Sequence, residues 1–378
     1  MTKVRRPPKK IRVLHILQSL DTGGLENGVV NLANKIDSRR FDLDILCLRY
    51  VGRLRDRLRS DIKVEFDSAT ASSVTKAAQV VASIVKNGAY DIVHTHGWAT
   101  LLPGFIGGKV LASAKVINGE HGTFFVDSLR RRVIQKLLFR AVTMNCTVSE
   151  SLKHEMQSLF SVPETRIQVI INGVDTNRFT QNRRDRSNVR SEFGLDHHLL
   201  LFGAVGRTVA VKDYNTLLHA FSIIVKDNHS IRLMIVGDGP EDSSLKKLAK
   251  SLSIADYVIF TGNRDDVPAL LSAMDVFCLS SIREGLSNTL LEAHAAGLPS
   301  VATETGGNAE IVKAGITGYL VPVGDVDAMG SAMRCLATDN AKRQELGAAA
   351  RRRAATRFSL DAMVGNYEKL YERVAACG

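Results

Sequence analysis

The chain has 378 residues, 45% of them hydrophobic, which is enough for two ordinary domains with their own cores and too long for a single small binding module. No run approaches the roughly 18–20 uninterrupted apolar residues that a spanning helix needs, and the basic residues 1–10 lead into a short apolar strand without a small-residue cleavage site, so a soluble, unsecreted, cytoplasmic chain is expected. The net charge of +11 is lopsided: residues 1–175 hold 26 Lys and Arg against 16 Asp and Glu, and residues 176–378 hold 24 against 23.

After the basic tail at 1–10, short apolar runs at 11–17, 44–48, 92–94, 116–118 and 145–148 predict strands, with helical patterns between them at 28–36 and 74–85. Strands alternating with helices imply a parallel sheet covered on both faces. The loop after the first strand, Asp21 to Gly28, is rich in glycine, but its spacing is not that of the dinucleotide fingerprint. His94, His96 and His121 fall at or just beyond strand ends. Their spacing is not specific for a metal and no Cys or carboxylate partner is evident, so no metal ligands are assigned. At 129–142, Leu129, Val133, Leu137, Leu138 and Ala141 predict one apolar helical face, with Arg130, Arg131, Arg132, Lys136 and Arg140 opposite. Such a helix suits an anionic membrane surface, although most helices of this pattern pack on a core.

The segment 171–179 reads INGVDTNRF and is followed by a polar, turn-rich stretch at 180–190, which places a hinge near 172–195. The strand and helix rhythm then restarts, with strands expected at 199–205, 231–236, 257–260, 276–279 and 300–302. Two doubly wound domains follow, at 11–175 and 176–357. Apolar residues at helical spacing between Met363 and Val374 predict a closing helix over 358–378 that packs back on the body. The five cysteines are scattered without a Cys-x-x-Cys pair, as expected of reduced, packed thiols.

In open parallel sheets, ligands bind beyond the carboxyl ends of the strands. There, Gly206 and Arg207 follow one predicted strand, with Lys212 five residues on, and two cations suit a diphosphate. After the strand at 276–279, Glu284 precedes a helix and Glu292 lies within it. Gly285, Leu286, Ser287, Asn288 and Thr289 then place free amides at the helix N-terminus, where an anion or sugar hydroxyl is favoured. Glu292 stands among Leu290, Leu291, Ala293, Ala295 and Ala296, and the two hydroxyls of a ribose would satisfy a carboxylate in such a setting.

Taken together, GGLENGVVNLA at 23–33, EHGT at 120–123, INGVDTNRF at 171–179, the GR and K of 206–212, VGDGPE at 236–241, FTG at 260–262 and the glutamates eight apart at 284 and 292 resemble the retaining glycosyltransferase family 4. The order matches over residues 11–375, and the look is that of sugar transferases of bacterial exopolysaccharide systems. The resemblance implies an α/β, two-domain GT-B fold of Rossmann-like domains facing a central cleft, with the nucleotide-sugar donor held by the C-terminal domain and a glycan or lipid-linked acceptor by the N-terminal one. It implies that Arg207 and Lys212 hold the leaving diphosphate, Glu284 meets the donor sugar, Glu292 the ribose, and His121 stands beside the sugar. Gly24 would approach the phosphates, and Asn263 and Arg264 would lie at the base, uracil or guanine. No metal is required if fixed cations and amides neutralise the leaving group.

The basic first half then suggests a peripheral position on the inner face of the plasma membrane. No nucleic-acid reader pattern appears. Two alternatives remain open: a sugar-nucleotide epimerase on the same fold, and a non-catalytic membrane or glycan binder.

Overall fold

The computed structural model describes residues 10–21, 23–122, 124 and 128–376. The basic tail, Thr123 of the EHGT segment and Cys377 lie outside the described residues, apart from Lys10. The chain divides into two compact units, residues 1–173 with 360–378, and residues 174–359.

In the first unit the order is β1 (Ile11–Leu17), α1 (Gly24–Lys35), β2 (Phe41–Cys47), β3 (Val64–Phe66), α2 (Val74–Gly88), β4 (Ile92–His96), α3 (Trp98–Gly104), β5 (Lys115–Glu120), α4 (Leu129–Ala141), β6 (Met144–Thr147), α5 (Glu150–Phe160) and β7 (Ile167–Val169). In the second unit it is α6 (Arg183–Glu192), β8 (Leu200–Val205), α7 (Tyr214–Val225), β9 (Ile231–Val236), α8 (Asp242–Ser251), β10 (Val258–Gly262), α9 (Val267–Ala273), β11 (Val276–Leu279), α10 (Asn288–Ala295), β12 (Ser300–Thr303), α11 (Asn308–Ile311), β13 (Gly318–Val321), α12 (Val326–Thr338) and α13 (Asn340–Arg357). The chain then returns to the first unit as α14 (Leu360–Ala376).

Each unit is a doubly wound parallel sheet. The first has seven strands in the order β3-β2-β1-β4-β5-β6-β7, the second six in the order β10-β9-β8-β11-β12-β13. The order reverses between β1 and β4 in one and between β8 and β11 in the other, and these switch points are where crevices open at the carboxyl ends of strands. Buried on both faces, the strands read as continuous apolar runs, such as Leu233 to Val236, all at 1% exposure or less. α14 buries Leu360, Met363, Val364, Tyr367, Leu370, Tyr371 and Val374 against a core that includes Val13, Val30 and Ile45.

Three expectations are corrected. The stretch 180–190 is not merely turns: Asn182 caps α6 by accepting from the amides of Arg184 and Asp185. The fully buried Arg190 donates to the carbonyls of Asp196, Leu199 and Ala273 and to Asp275. An arginine with four of its five N–H donors met and a carboxylate beside it can occupy a core position. The apolar row of α4 also differs: Gln135, Leu138 and Phe139 face the core, whereas Leu129, Val133 and Leu137 are exposed. Of the described cysteines, Cys47, Cys146 and Cys278 are buried, but Cys335 is exposed. Among the described residues no helix is long and apolar enough to cross a membrane.

Candidate functional site

The C-terminal ends of β8 and β11 bring the predicted charged residues together. After β8 the chain turns at Gly206, and a short helical turn, Ala210–Lys212, precedes Asp213, which caps α7 by accepting from the amide of Thr216 at 3.2 Å. After β11, the amide of Ile282 donates to the carbonyl of Val211 at 2.8 Å and Ser280 Oγ donates to the carbonyl of Lys212 at 2.8 Å. The two loops are therefore joined by one backbone and one serine hydrogen bond before any charged side chain of the site is placed.

On that frame Lys212 Nζ donates to Glu284 Oε1 at 2.6 Å, and Ser281 Oγ donates to the same oxygen at 2.7 Å. Both partners are largely covered, with side-chain exposures of 21% and 12%. An ammonium has three donors, so the pair leaves Lys212 able to bind a further anion. Arg207 is exposed and its guanidinium makes no hydrogen bond or ion pair among the described residues. The phenol of Tyr214 donates to the carbonyl of Gly206 at 3.2 Å, and burial raises its pKa, with Glu284 adding to the shift.

α10 begins at Asn288 with Ser287 as its cap, Ser287 Oγ accepting from the amide of Leu290 at 3.3 Å. Gly285, Leu286 and Ser287 are buried, and Asn288 and Thr289 half-buried. One turn on, the half-buried Glu292 carboxylate accepts no hydrogen bond among the described residues, and burial pushes its pKa up to about 7. Arg178 pulls in the other direction. A carboxyl without partners in such a place is suited to hydroxyl donors.

Asn263 and Arg264 follow β10, at the sheet edge two strands from β8. Asn263 is exposed. The Arg264 guanidinium is engaged by the protein's own carboxylates, pairing with Glu192 at 2.5 Å and with Asp266 at 2.8 Å. Gly24 and His121 belong to the first unit. Gly24 is the exposed first residue of α1, and the half-buried His121 follows β5. His121 Nε2 is hydrogen-bonded to His96 Nδ1 at 2.9 Å, and burial lowers its pKa to about 4.

Several supporting residues escaped sequence reasoning. Gly306, at φ +51°, packs on the Glu284 backbone so closely that a Cβ there would fall 1.7 Å from the Glu284 carbonyl oxygen. The amide of Gly307 donates to Gly285 at 3.0 Å, Thr305 Oγ1 donates to the Ile282 carbonyl at 3.0 Å, and Thr303 Oγ1 donates to that of Ser281 at 2.6 Å. The loop after β12 thus braces the loop that carries Glu284. The adjacent glycines of TGGN at 305–308 were the available signal.

With the geometry in place, the two halves of the chain match family models. Residues 22–178 match Glycosyltransferase Family 4, and residues 185–353 match Glycosyl transferases group 1. The chain belongs to the family 4 glycosyltransferases. Its relatives in this family include the N-acetyl-alpha-D-glucosaminyl L-malate synthase of Bacillus anthracis, 29% identical over 81% of this chain and 79% of the relative. Another is the UDP-Gal:alpha-D-GlcNAc-diphosphoundecaprenol alpha-1,3-galactosyltransferase of Escherichia coli, 26% identical over 86% and 87%. Among solved structures, Anabaena Alr3699/HepE in complex with UDP superposes with a TM-score of 0.83 at 21% identity, covering 97% of this chain and 100% of that one. The glycosyltransferase has the GT-B fold.

Proposed function

We propose that this glycosyltransferase moves a hexose from a UDP-sugar to a glycan or lipid-linked acceptor in cell-surface glycan synthesis, with retention of anomeric configuration. The observation that carries the reading is the Lys212–Glu284 pair at the β8/β11 switch point, with the Arg207 guanidinium and the Glu292 carboxylate both without a partner among the described residues. Arg207 and Lys212 neutralise the leaving diphosphate, the amides at 285–289 add to that field, and no metal is needed for this task. Glu292 accepts from the ribose hydroxyls, and Glu284 meets the sugar. Asn263 and Arg264 serve the base through their backbone, because the Arg264 side chain is already paired. The uracil assignment is supported by the UDP bound to the Anabaena structure and the UDP-sugar in the Escherichia coli relative's name.

The acceptor is lipid-linked and the enzyme rests on the anionic inner face of the membrane through α4. Leu129 and Leu137 are 78% and 64% exposed, and Arg130, Arg132 and Arg140 lie exposed on the same helix. Apolar anchors amid cations suit an anionic headgroup layer.

Calorimetric titration with UDP, GDP and ADP, with and without chelator and on Arg207→Ala and Glu292→Ala, tests the donor site. Micromolar, chelator-insensitive binding of UDP that both substitutions abolish is expected, and binding of none of the three overturns the reading. Sedimentation with vesicles of anionic lipid at low salt tests the membrane part, which fails if the protein stays in solution.

A further inference from the structure

At the carboxyl ends of β4 and β5, Trp98, Glu120 and Arg131 come together within the first unit. The β4/β5 register pairs His96 with Gly119, and the amide of Gly97 donates to the Gly119 carbonyl at 2.8 Å. Gly97, at φ +74°, then turns the chain so that Trp98, the single tryptophan, opens α3 next to Glu120, the last residue of β5. Arg131 comes from α4, and its guanidinium carbon lies 5.4 Å from the centre of the Trp98 ring. Trp98 and Arg131 are half-buried, and Glu120 is 8% exposed.

The Glu120 carboxyl is aimed and then left incomplete. Thr95 Oγ1 donates to Asn118 Oδ1 at 3.1 Å, and Asn118 Nδ2 donates to Glu120 Oε1 at 3.1 Å. Both relay residues are fully buried. Glu120 Oε2 accepts no hydrogen bond among the described residues. Burial raises the carboxyl to about 7, against the pull of the Asn118 hydrogen bond and of the Arg131 charge. One turn on from Arg131, on the same face of α4, Gln135 is 2% exposed and its Oε1 has no partner among the described residues. Arg131 is itself poorly placed for a purely structural cation. It stands in a first turn that holds three arginines and no acid, where the helix dipole favours anions. Arg130 and Arg132 are exposed, whereas Arg131 is half-covered. Covered oxygens without donors are costly, and a neutral ligand rich in hydroxyls meets them. An anion would be repelled by the same oxygens.

We propose that Trp98, Glu120 and Arg131 form the binding site for a pyranose ring of the acceptor, with the indole packing on the ring's C–H groups, Glu120 accepting from its hydroxyls and Arg131 donating to them. The proposal rests on the reading above of a glycan or lipid-linked acceptor, and it places one sugar of that acceptor in the first unit alone. An apolar surface with a few convergent polar groups is the make-up of a small-molecule site, and tryptophan supplies the apolar surface at the edge of such a site. Leu129, Val133 and Leu137, all exposed, lie on the opposite side of α4 from Arg131. The sugar therefore sits one helix thickness, about 10 Å, from the face proposed to meet the membrane, within reach of a lipid anchor.

The test follows Trp98 fluorescence of the full chain at pH 8, above the Glu120 pKa, while the methyl pyranosides of glucose, galactose, mannose and N-acetylglucosamine are titrated in. A saturable change with at least one of them is expected. Glu120→Gln, which keeps the shape of the side chain, and Arg131→Met should each raise the half-saturation concentration about tenfold or more, the weight of a hydrogen bond to a charged group. No saturable change with any of the four, or a change that the variants leave where it was, overturns the site. If Arg131→Met fails to fold, Glu120→Gln decides alone. UDP release from UDP-glucose with the same pyranoside present separates the site from the reading it rests on. Binding without stimulated release overturns the acceptor role and leaves the site, whereas transfer with a KM for the pyranoside that Glu120→Gln does not move overturns the site and leaves the reading.

Discussion

Lowering the pH from 7.5 to 5.5 should weaken the first unit and spare the second. Burial lowers the pKa of His15 to about 3 and of His121 to about 4, and puts those of His94 and His96 well below the ordinary value. In the unfolded chain each titrates near its ordinary value of about 6.5. Across this window the unfolded chain binds the more protons, so stability is lost as the pH falls. Each ring accounts for about 1.4 kcal/mol over the two pH units, and the four for about 5 kcal/mol. Glu120 opposes them. Burial raises its carboxyl to about 7, so the folded state takes up a proton first and gains about 2 kcal/mol as the pH falls. The net loss is about 3–4 kcal/mol, a large share of the roughly 5–15 kcal/mol that holds a domain folded.

In the second unit, His294 at about 3 and Glu292 at about 7 act in opposite senses and nearly cancel. Trp98, the single tryptophan, lies in the first unit, so its fluorescence reports that unit while far-ultraviolet dichroism reports both. In urea, the tryptophan transition at pH 5.5 should fall by about 1–2 M relative to pH 7.5, taking a slope of about 2 kcal/mol/M. Glu120→Gln should deepen the fall. A tryptophan transition that does not move between the two pH values would refute the reasoning.

Gly306→Ala should push the Glu284 loop aside and cost about 1–3 kcal/mol for its left-handed backbone; UDP-glucose affinity by calorimetry should drop at least about tenfold, the penalty of a misplaced binding loop. Lys212→Met removes the charge from the proposed diphosphate site and leaves Glu284 unpaired; kcat is expected to fall by about 100- to 1000-fold in a UDP-release assay, and an unchanged kcat would remove Lys212 from the machinery. Because Glu292 titrates near pH 7 when no donor is bound, hydroxyls donating to its ionised form should expel a proton. UDP-glucose binding should therefore tighten from pH 6 to 8, with a heat that depends on the buffer's ionisation enthalpy; the same heat in every buffer would speak against Glu292 as the ribose partner.

How legible the fold was depended on whether each element is held by neighbours in sequence or by distant groups. β1, β9 and β11 declared themselves as apolar runs. β3, β7 and β13 were missed, since three or four residues at or near a sheet edge carry too little periodicity. α6 was hidden for another reason. Its buried residues are Val189 and Arg190, and what makes an arginine a core residue there is a set of carbonyls from residues 196, 199 and 273, which no local pattern announces. His15 on β1 and His94 on β4 are joined to α14 through the Tyr371 hydroxyl, 356 positions from His15; spacing at 94, 96 and 121 could suggest proximity but not its completion.

The site was legible for a different reason: its motifs touch one another. Gly237 of VGDGPE has φ +125°, and a Cβ there would lie 2.2 Å from the carbonyl oxygen of Gly206. Its amide donates to Gly262 of FTG at 2.9 Å, and the amide of Thr208, next to Arg207, donates to the carbonyl of Asp238 at 3.0 Å. These glycines let three loops pack backbone on backbone behind the turn that bears Arg207, so a side chain at Gly237 would move that turn as surely as a change in the turn itself. Each short motif is weak by itself because many loops need a glycine. Their co-occurrence in one order is informative because each fits only when the others are present, and that mutual constraint is the packing seen at the β8, β9 and β10 ends.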